Sequence, residues 1–249
     1  MEYSTLLTHF SNITHAFTTR HGGYSLAPYS SNNLGFHVGD NKDTVFANHK
    51  HLAEALSYSL QTLVYMKQIH STKVIVVHDE TFDTPPICDA LITNKTNTPL
   101  MIMSADCTPI LLYDDVTKVI GVIHAGRAGA FNNIIESTIS QMKKSFQVQS
   151  ENIYAVLGAS IQLCCYEVSE EIMFEAEKKG LGYSIHTREN KYYLDINAIL
   201  HKQLQMCGVA EYHIEDIRAC SACLNETYFS YRADKQTTGR MAGVIMLNP

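Results

Sequence analysis

Between Leu100 and His124 the chain runs through three short apolar segments in close succession, and no other stretch constrains the fold as tightly. Leu100 to Ser104, Ile110 to Asp114 and Val119 to His124 are rich in Ile, Leu, Val and Met. The last two are separated by the polar, turn-like Asp114-Asp115-Val116-Thr117-Lys118, the pattern of a β-hairpin. With the turn centred between Asp115 and Val116, Cys107 falls opposite His124, provided that pairing continues past Pro109. Directly opposed residues have Cβ atoms roughly 4.5 to 5.5 Å apart. A one-residue slip would send them to opposite faces. Pro109 has no N–H for the ladder, so pairing near Cys107 is expected to be irregular.

The hairpin carries two of three residues that read together as a metal site. His70, Cys107 and His124 each end or interrupt an apolar, strand-like run. Two imidazoles and one thiolate can bind zinc and leave a fourth position open, which marks a catalytic ion rather than a structural one. Their spacing matches no zinc-finger pattern. The competing reading is a buried thiol with packed or solvated histidines, and a chain with 12 His and 7 Cys offers such groupings by chance.

Elsewhere the pattern mixes helices with strands. Asn41 to Ser57 reads as a helix with Val45, His49, Leu52 and Leu56 on one stripe. Asn133 to Phe146 is amphipathic, with Ile134, Ile135, Thr138, Ile139, Met142 and Phe146 along one face. Ser169 to Lys179 and Asp195 to Cys207 begin at capping residues and stop at Gly180 and Gly208. Further strands are expected at Leu63 to Ile69, Val74 to Val77, Tyr154 to Leu157, Ile214 to Arg218, Tyr228 to Tyr231 and Val244 to Leu247. Strands outnumber helices and do not alternate strictly with them, which favours α+β over a doubly wound parallel sheet. No linker, repeat or low-complexity tract divides residues 1–249, so a single domain is expected.

Composition narrows the function. No apolar run reaches the roughly 18 residues a membrane helix needs, and the N-terminal Met-Glu-Tyr-Ser-Thr lacks the features of a signal peptide. A net charge of −6 without a Lys/Arg cluster argues against nucleic-acid binding. The odd count of 7 cysteines suits a reduced, cytoplasmic setting. Cys220 and Cys223 form a lone C-x-x-C, redox-active or half of a metal site. Cys164 and Cys165 are adjacent, and in a strand they would point to opposite faces, one buried and one lining a cleft.

Anion contacts are expected near the third candidate ligand. His124 is followed by Ala125-Gly126-Arg127-Ala128-Gly129 and a helix, a glycine-bearing turn whose N–H groups could receive phosphate at Gly126. Arg20, before His21-Gly22-Gly23, and Arg232 could grip phosphate oxygens in pairs. Asn33, Asp106 and Tyr166 are candidates for holding a sugar, base or water, with Asp106 also a catalytic candidate.

The chain resembles the laccase-domain, or polyphenol-oxidoreductase, family, which includes purine nucleoside phosphorylases and the peptidoglycan editing factor. The likeness runs from about His15 to Leu247. It rests on Thr19-Arg20-His21-Gly22-Gly23, Asn33-Leu34-Gly35, Lys67-Gln68-Ile69-His70-Ser71, Asp89-Ala90-Leu91-Ile92-Thr93 and Ala105-Asp106-Cys107-Thr108-Pro109. It continues through His124-Ala125-Gly126, Cys164-Cys165-Tyr166-Glu167-Val168, Phe229-Ser230-Tyr231-Arg232 and Thr238-Gly239-Arg240. The resemblance implies zinc at His70, Cys107 and His124, and a layered α/β sandwich with mixed, largely antiparallel central sheets and outer helices. It departs from the family at Arg127-Ala128, where Trp-Arg is usual, at Ala159-Ser160-Ile161-Gln162-Leu163, and at Ala233, where a second Arg is usual.

The resemblance implies phosphorolysis of adenosine, inosine or guanosine to base and ribose 1-phosphate, with deamination of adenosine. A small nucleoside and phosphate are then the partners, with neither nucleic acid nor membrane, and the oligomeric state stays open. Peptidoglycan-precursor editing and copper-dependent phenol oxidation are the alternatives. Copper is disfavoured because a multicopper oxidase needs several H-x-H pairs, and the chain has one, His49-Lys50-His51. A metal-free site would use Cys107 as nucleophile and His124 as base, leaving His70 without a role. A non-enzymatic binding role would predict a metal with no open position.

Overall fold

The structure is a computed structural model that describes residues 1–78 and 84–249. Along the chain come β1 (Ile13–Phe17), α1 (Lys42–Leu56), β2 (Val64–Tyr65), β3 (Val74–Val76), β4 (Ala90–Thr93), β5 (Leu100–Ser104), β6 (Thr108–Asp114) and β7 (Val119–Ala125). They are followed by α2 (Arg127–Phe131), α3 (Ile134–Phe146), β8 (Ile153–Leu157), β9 (Glu167–Val168), α4 (Glu170–Lys178), β10 (Ile185–Arg188), β11 (Lys191–Leu194), α5 (Ile196–Met206), β12 (Ile214–Asp216) and β13 (Met241–Leu247). Short 3-10 turns connect some of them.

Two sheets stack face to face. One has the order β1-β13-β5-β2 and the other β12-β8-β6-β7-β4-β3, with a small third sheet β10-β11-β9 beside them. Most pairs are antiparallel; β2 with β5, β3 with β4 and β8 with β12 are parallel. This is the mixed, largely antiparallel α+β sandwich expected.

The uninterrupted apolar runs have a physical cause: the central strands are covered on both faces. In β6, Leu111 and Tyr113 face the other sheet while Ile110 and Leu112 face α3 and α5. In β7, Ile120 and Val122 face the sheet interface, and Val119 and Ile123 face the helices. The four-stranded sheet repeats the logic. Leu100 and Ile102 of β5 face inward, while Met101 and Met103 pack under Leu52 and Leu56 of α1. Each fully buried Leu, Ile or Val contributes roughly 1.5 to 3 kcal/mol, so burial on both faces of these strands is a major source of stability.

The helix ends follow their capping residues. Asn41 accepts the N–H groups of Asp43 and Thr44, and α1 closes at Ser57 in the left-handed region, φ 56°. Asp195 accepts the Ala198 N–H at the start of α5. Ser169 precedes α4 without a side-chain cap.

Four expectations need correcting. The hairpin register is displaced, so His124 pairs with Pro109 rather than Cys107. The turn is centred one residue later than expected, moving every partner by two positions. A shift of two preserves the face, which keeps Cys107 as a diagonal neighbour just outside the ladder. Tyr228 to Tyr231 is not a strand but part of a series of turns, because Ser230 and Tyr231 offer their carbonyls to Asp234 and Gln236. The expected strand at Leu63 to Ile69 pairs as β2 only at Val64 and Tyr65, since Gln68 departs to bond β5 through its side chain. Cys164 and Cys165 lie in a turn rather than a strand. Among the described residues no helix is long and apolar enough to cross a membrane.

Candidate metal centre and cleft

The site gathers at one end of the stacked sheets. Cys107 immediately precedes β6, His124 is the penultimate residue of β7, and His70 lies on the segment between β2 and β3. Their ligand atoms all lie within 4.8 Å of one another. The Cys107 Sγ is 3.7 Å from His70 Nε2. The two imidazoles meet edge to face, with centroids 4.7 Å apart. Tetrahedral zinc with the usual bond lengths would hold a sulfur and a nitrogen about 3.6 Å apart, so the donor set fits such an ion without rearrangement. Gly126 is required by this packing: a Cβ there would lie 2.9 Å from Cys107 Sγ and 2.8 Å from His70 Cδ2.

Asp89 organises two of the ligands. Fully buried just before β4, it accepts the His124 Nδ1–H at 2.9 Å. It also accepts the backbone N–H groups of Ile69, His70 and Ser71 and the Ser71 hydroxyl. These bonds hold His70 in the left-handed region, φ 59°. With Nδ1 committed, His124 presents Nε2 to the site, a carboxylate–histidine arrangement common around bound metals. Gln68 anchors the same segment from the other sheet, pairing both amide atoms with the backbone of Met103 at 2.7 and 2.9 Å.

Burial and charge act against each other here. Burial raises the Asp89 carboxyl, but hydrogen bonds from His124 and Ser71 outweigh it and bring it to about 2. Burial likewise raises the Cys107 thiol, and the neighbouring His124 and His70 reverse that to about 6. Burial lowers His124, yet Cys107 and Asp89 lift it to about 9. Without a metal, Cys107 and His124 therefore form a thiolate–imidazolium pair near neutral pH.

The open side of the triad faces a cleft of about 1060 Å³, at the upper end of the usual range for small-molecule sites. Of the residues singled out in the sequence, Gly126, Asp106, Tyr166 and Arg232 line it with the three ligands. Asp106, at φ 92°, is braced. Its oxygens accept the Ser221 hydroxyl and the Arg232 N–H, both at 2.7 Å. Those bonds brace the bend that presents Cys107. Burial and the nearby Cys107 push the Tyr166 hydroxyl up to about 12, keeping it a neutral donor. Arg232 stands 5.6 Å from the Tyr166 ring and donates to the carbonyl of Glu167 at 3.1 Å.

Arg20 and Asn33, expected to touch substrate, are not among the residues lining the cleft and have protein partners of their own. Arg20 bonds the carbonyls of Ser30 and Asn225, lies 3.6 Å from Asp234 and covers the Phe229 ring. Fully buried Asn33 bridges Asp40, Gly35 and the Arg240 N–H. The phosphate turn at Gly126 is also altered, because α2 begins at Arg127 and lasts five residues.

Sequence reasoning missed Asp89 and Arg240. Arg240 lines the cleft, and among the described residues no carboxylate lies within ion-pair distance of it. Arg127, where the family motif has Trp, lines the cleft and pairs with Glu175 at 2.7 Å. An acidic residue directly before the wholly apolar Ala90-Leu91-Ile92 was a usable signal, because a buried carboxylate requires partners.

The multi-copper polyphenol oxidoreductase laccase family matches residues 14–248. A purine nucleoside phosphorylase of Corynebacterium glutamicum is 40% identical over 93% of this chain and 93% of its own length. One of Haemophilus influenzae is 37% identical over 93% of each. The crystal structure of a Bacillus licheniformis hypothetical protein, YfiH, superposes with a TM-score of 0.90 at 30% identity, covering 95% of this chain and 93% of that one.

Proposed function

The chain belongs to the multi-copper polyphenol oxidoreductase laccase family, and on that footing we propose that it is a zinc-dependent purine nucleoside phosphorylase that also deaminates adenosine. The observation that carries the reading is a His–Cys–His donor set opening onto a cleft rimmed by Arg127, Arg232 and Arg240. Zinc held by His70, Cys107 and His124 would supply a Lewis acid with one open position.

The chain's own residues account for the rest. Arg232 and Arg240 provide cationic donors for phosphate, whose oxygens suit the planar guanidinium fork. Tyr166 stays protonated and can donate to a sugar or base. Asp89 holds His124 in one tautomer, and Asp106 fixes the bend before Cys107. Preorganised donors of this kind stabilise developing charge without reorganisation. The names of the Corynebacterium and Haemophilus relatives support purine nucleosides as the substrate class.

Oxidation of phenols by several coppers fits less well. Among the described residues two donor groups occur, and one holds histidines while the other is entirely cysteine. A multicopper oxidase needs several histidine-rich groups. The deciding experiment incubates the protein with adenosine, inosine and guanosine, with and without phosphate, under anaerobic conditions. Phosphorolysis should give base and ribose 1-phosphate only with phosphate, and adenosine should also give inosine. Nucleoside turnover that requires oxygen, or none with any of the three, would refute the proposal.

A further inference from the structure

A second donor group lies outside the triad. Cys164 and Cys165 sit in the turn before β9, and Cys220 and Cys223 in the turns after β12. Their four sulfurs lie within 4.8 Å of one another, and all four are free thiols. The Cys223 Sγ is 3.4 Å from that of Cys164 and 3.2 Å from that of Cys165. These separations are well beyond the S–S bond length of about 2.05 Å. They fall a few tenths of an ångström short of the roughly 3.8 Å edge of a tetrahedron built on zinc–sulfur bonds of 2.3 Å, and the 4.8 Å limit on all the separations lies above that edge.

The backbone is arranged to hold the four sulfurs there. The two segments are laced by Ser160 N–H to the Ala219 carbonyl at 3.1 Å and Ser221 N–H to the Ser160 carbonyl at 3.0 Å. Within each, a tight turn brings its pair together: Cys165 N–H bonds Gln162, and Leu224 N–H bonds Cys220. The isolated C-x-x-C thus acquires the second cysteine pair that its sequence context lacked.

We propose that Cys164, Cys165, Cys220 and Cys223 bind a zinc ion of their own in a closed tetrathiolate site. Four thiolates are a soft donor set that selects zinc over harder cations, and with no position left open the ion is structural. A multi-iron cluster would sit between the cysteines and spread them further apart. The ion would clasp two walls of the cleft. Tyr166 follows Cys165 directly, Arg232 donates to the Cys165 carbonyl, and Ser221 bonds Asp106.

Metal content of the full-length protein, purified anaerobically and loaded with zinc, tests this. The wild type should hold two zinc ions. Cys107→Ala should hold one, as should the double variant Cys220→Ser/Cys223→Ser. Because the double variant could fail to fold, Cys107→Ala carries the decision alone. Loaded with cobalt(II), its remaining site should show sulfur-to-metal charge-transfer absorption about four times that of the triad site per ion, following the thiolate count. Loss of all metal in Cys107→Ala, iron in place of zinc, or a disulfide among the four cysteines by mass spectrometry would overturn the proposal.

Discussion

Replacing Asp89 with Asn removes one negative charge from a fully buried position and changes almost no volume. The carboxylate accepts the His124 ring N–H, the N–H groups of Ile69, His70 and Ser71, and the Ser71 hydroxyl. An amide offers one oxygen and turns an NH2 group toward the remaining donors. The Ser71 hydroxyl can rotate to accept, but its backbone N–H, now 2.6 Å from the carboxylate, cannot. If the amide donates to His124 Nδ1 instead, the ring proton moves to Nε2, the atom that faces the metal. Losing one or two charge-assisted hydrogen bonds costs roughly 1.5 to 3 kcal/mol each. Zinc affinity should therefore fall at least tenfold, and by up to about a hundredfold if the tautomer switches. Chelator-competition titration measures this, with circular dichroism checking that the fold persists. A folded Asp89→Asn protein whose zinc affinity changes less than twofold would refute the claim that Asp89 sets the ligand geometry.

Three further outcomes follow from the same geometry. Gly126→Ala drives a methyl group against Cys107 and His70, so it should abolish zinc binding at the triad, read by metal analysis, while leaving most of the thermal stability. The pH dependence has a definite sign. Cys107, lowered from 9.0 to about 6, contributes stability that is lost as pH falls through 6. His124, raised from 6.5 to about 9, contributes stability that is lost as pH rises through 9. Zinc binding at pH 7.5 must then expel about one proton, from His124 rather than from Cys107, because metal ligands bind deprotonated. Calorimetry in buffers of different ionisation enthalpy counts it, and release of no proton would contradict the pairing. Arg232→Ala and Arg240→Ala should each raise the phosphate needed for half-maximal base release about tenfold to a hundredfold, one charge-assisted bond's worth; unchanged phosphate dependence would move the anion site elsewhere.

Much of the fold could be read from the chain because its central strands are buried on both faces. Leu100 to Ser104 is β5 as expected, and α1, α3 and α5 each begin one residue after the residue taken as their start. Register was harder to read. Asp114 turns its carboxylate back onto the N–H groups of Val116 and Thr117, moving the hairpin centre by a residue that composition does not mark. The strands of β10 and β11 escaped notice because they are four residues each, β10 is largely exposed and neither alternates apolar with polar residues. The triad was visible as residue types ending strand-like runs. Arg20 and Asn33 could not be placed from the chain alone, because a polar residue in a glycine-rich motif serves equally to brace a loop or to meet a ligand. The cysteine group was hidden by distance along the chain: neither pair is informative until folding brings the other beside it.

His70 is held by both sheets, since Gln68 bonds β5 of the four-stranded sheet and Asp89, beside β4 of the six-stranded one, accepts the His70 N–H, whereas Cys107 and His124 lie at β6 and β7 of the six-stranded sheet. The triad therefore spans the seam between the two halves of the sandwich. Its geometry is set by both sheets together, unlike that of a zinc finger, where the ion gathers a short local segment. A metal held there would be captured only where both sheets are in place. The ion cannot rescue a chain that fails earlier. It favours only the completed state, by mass action, adding about 2.7 kcal/mol at a hundredfold excess over its dissociation constant. Metal occupancy in a population of these molecules would thus count those that have finished folding.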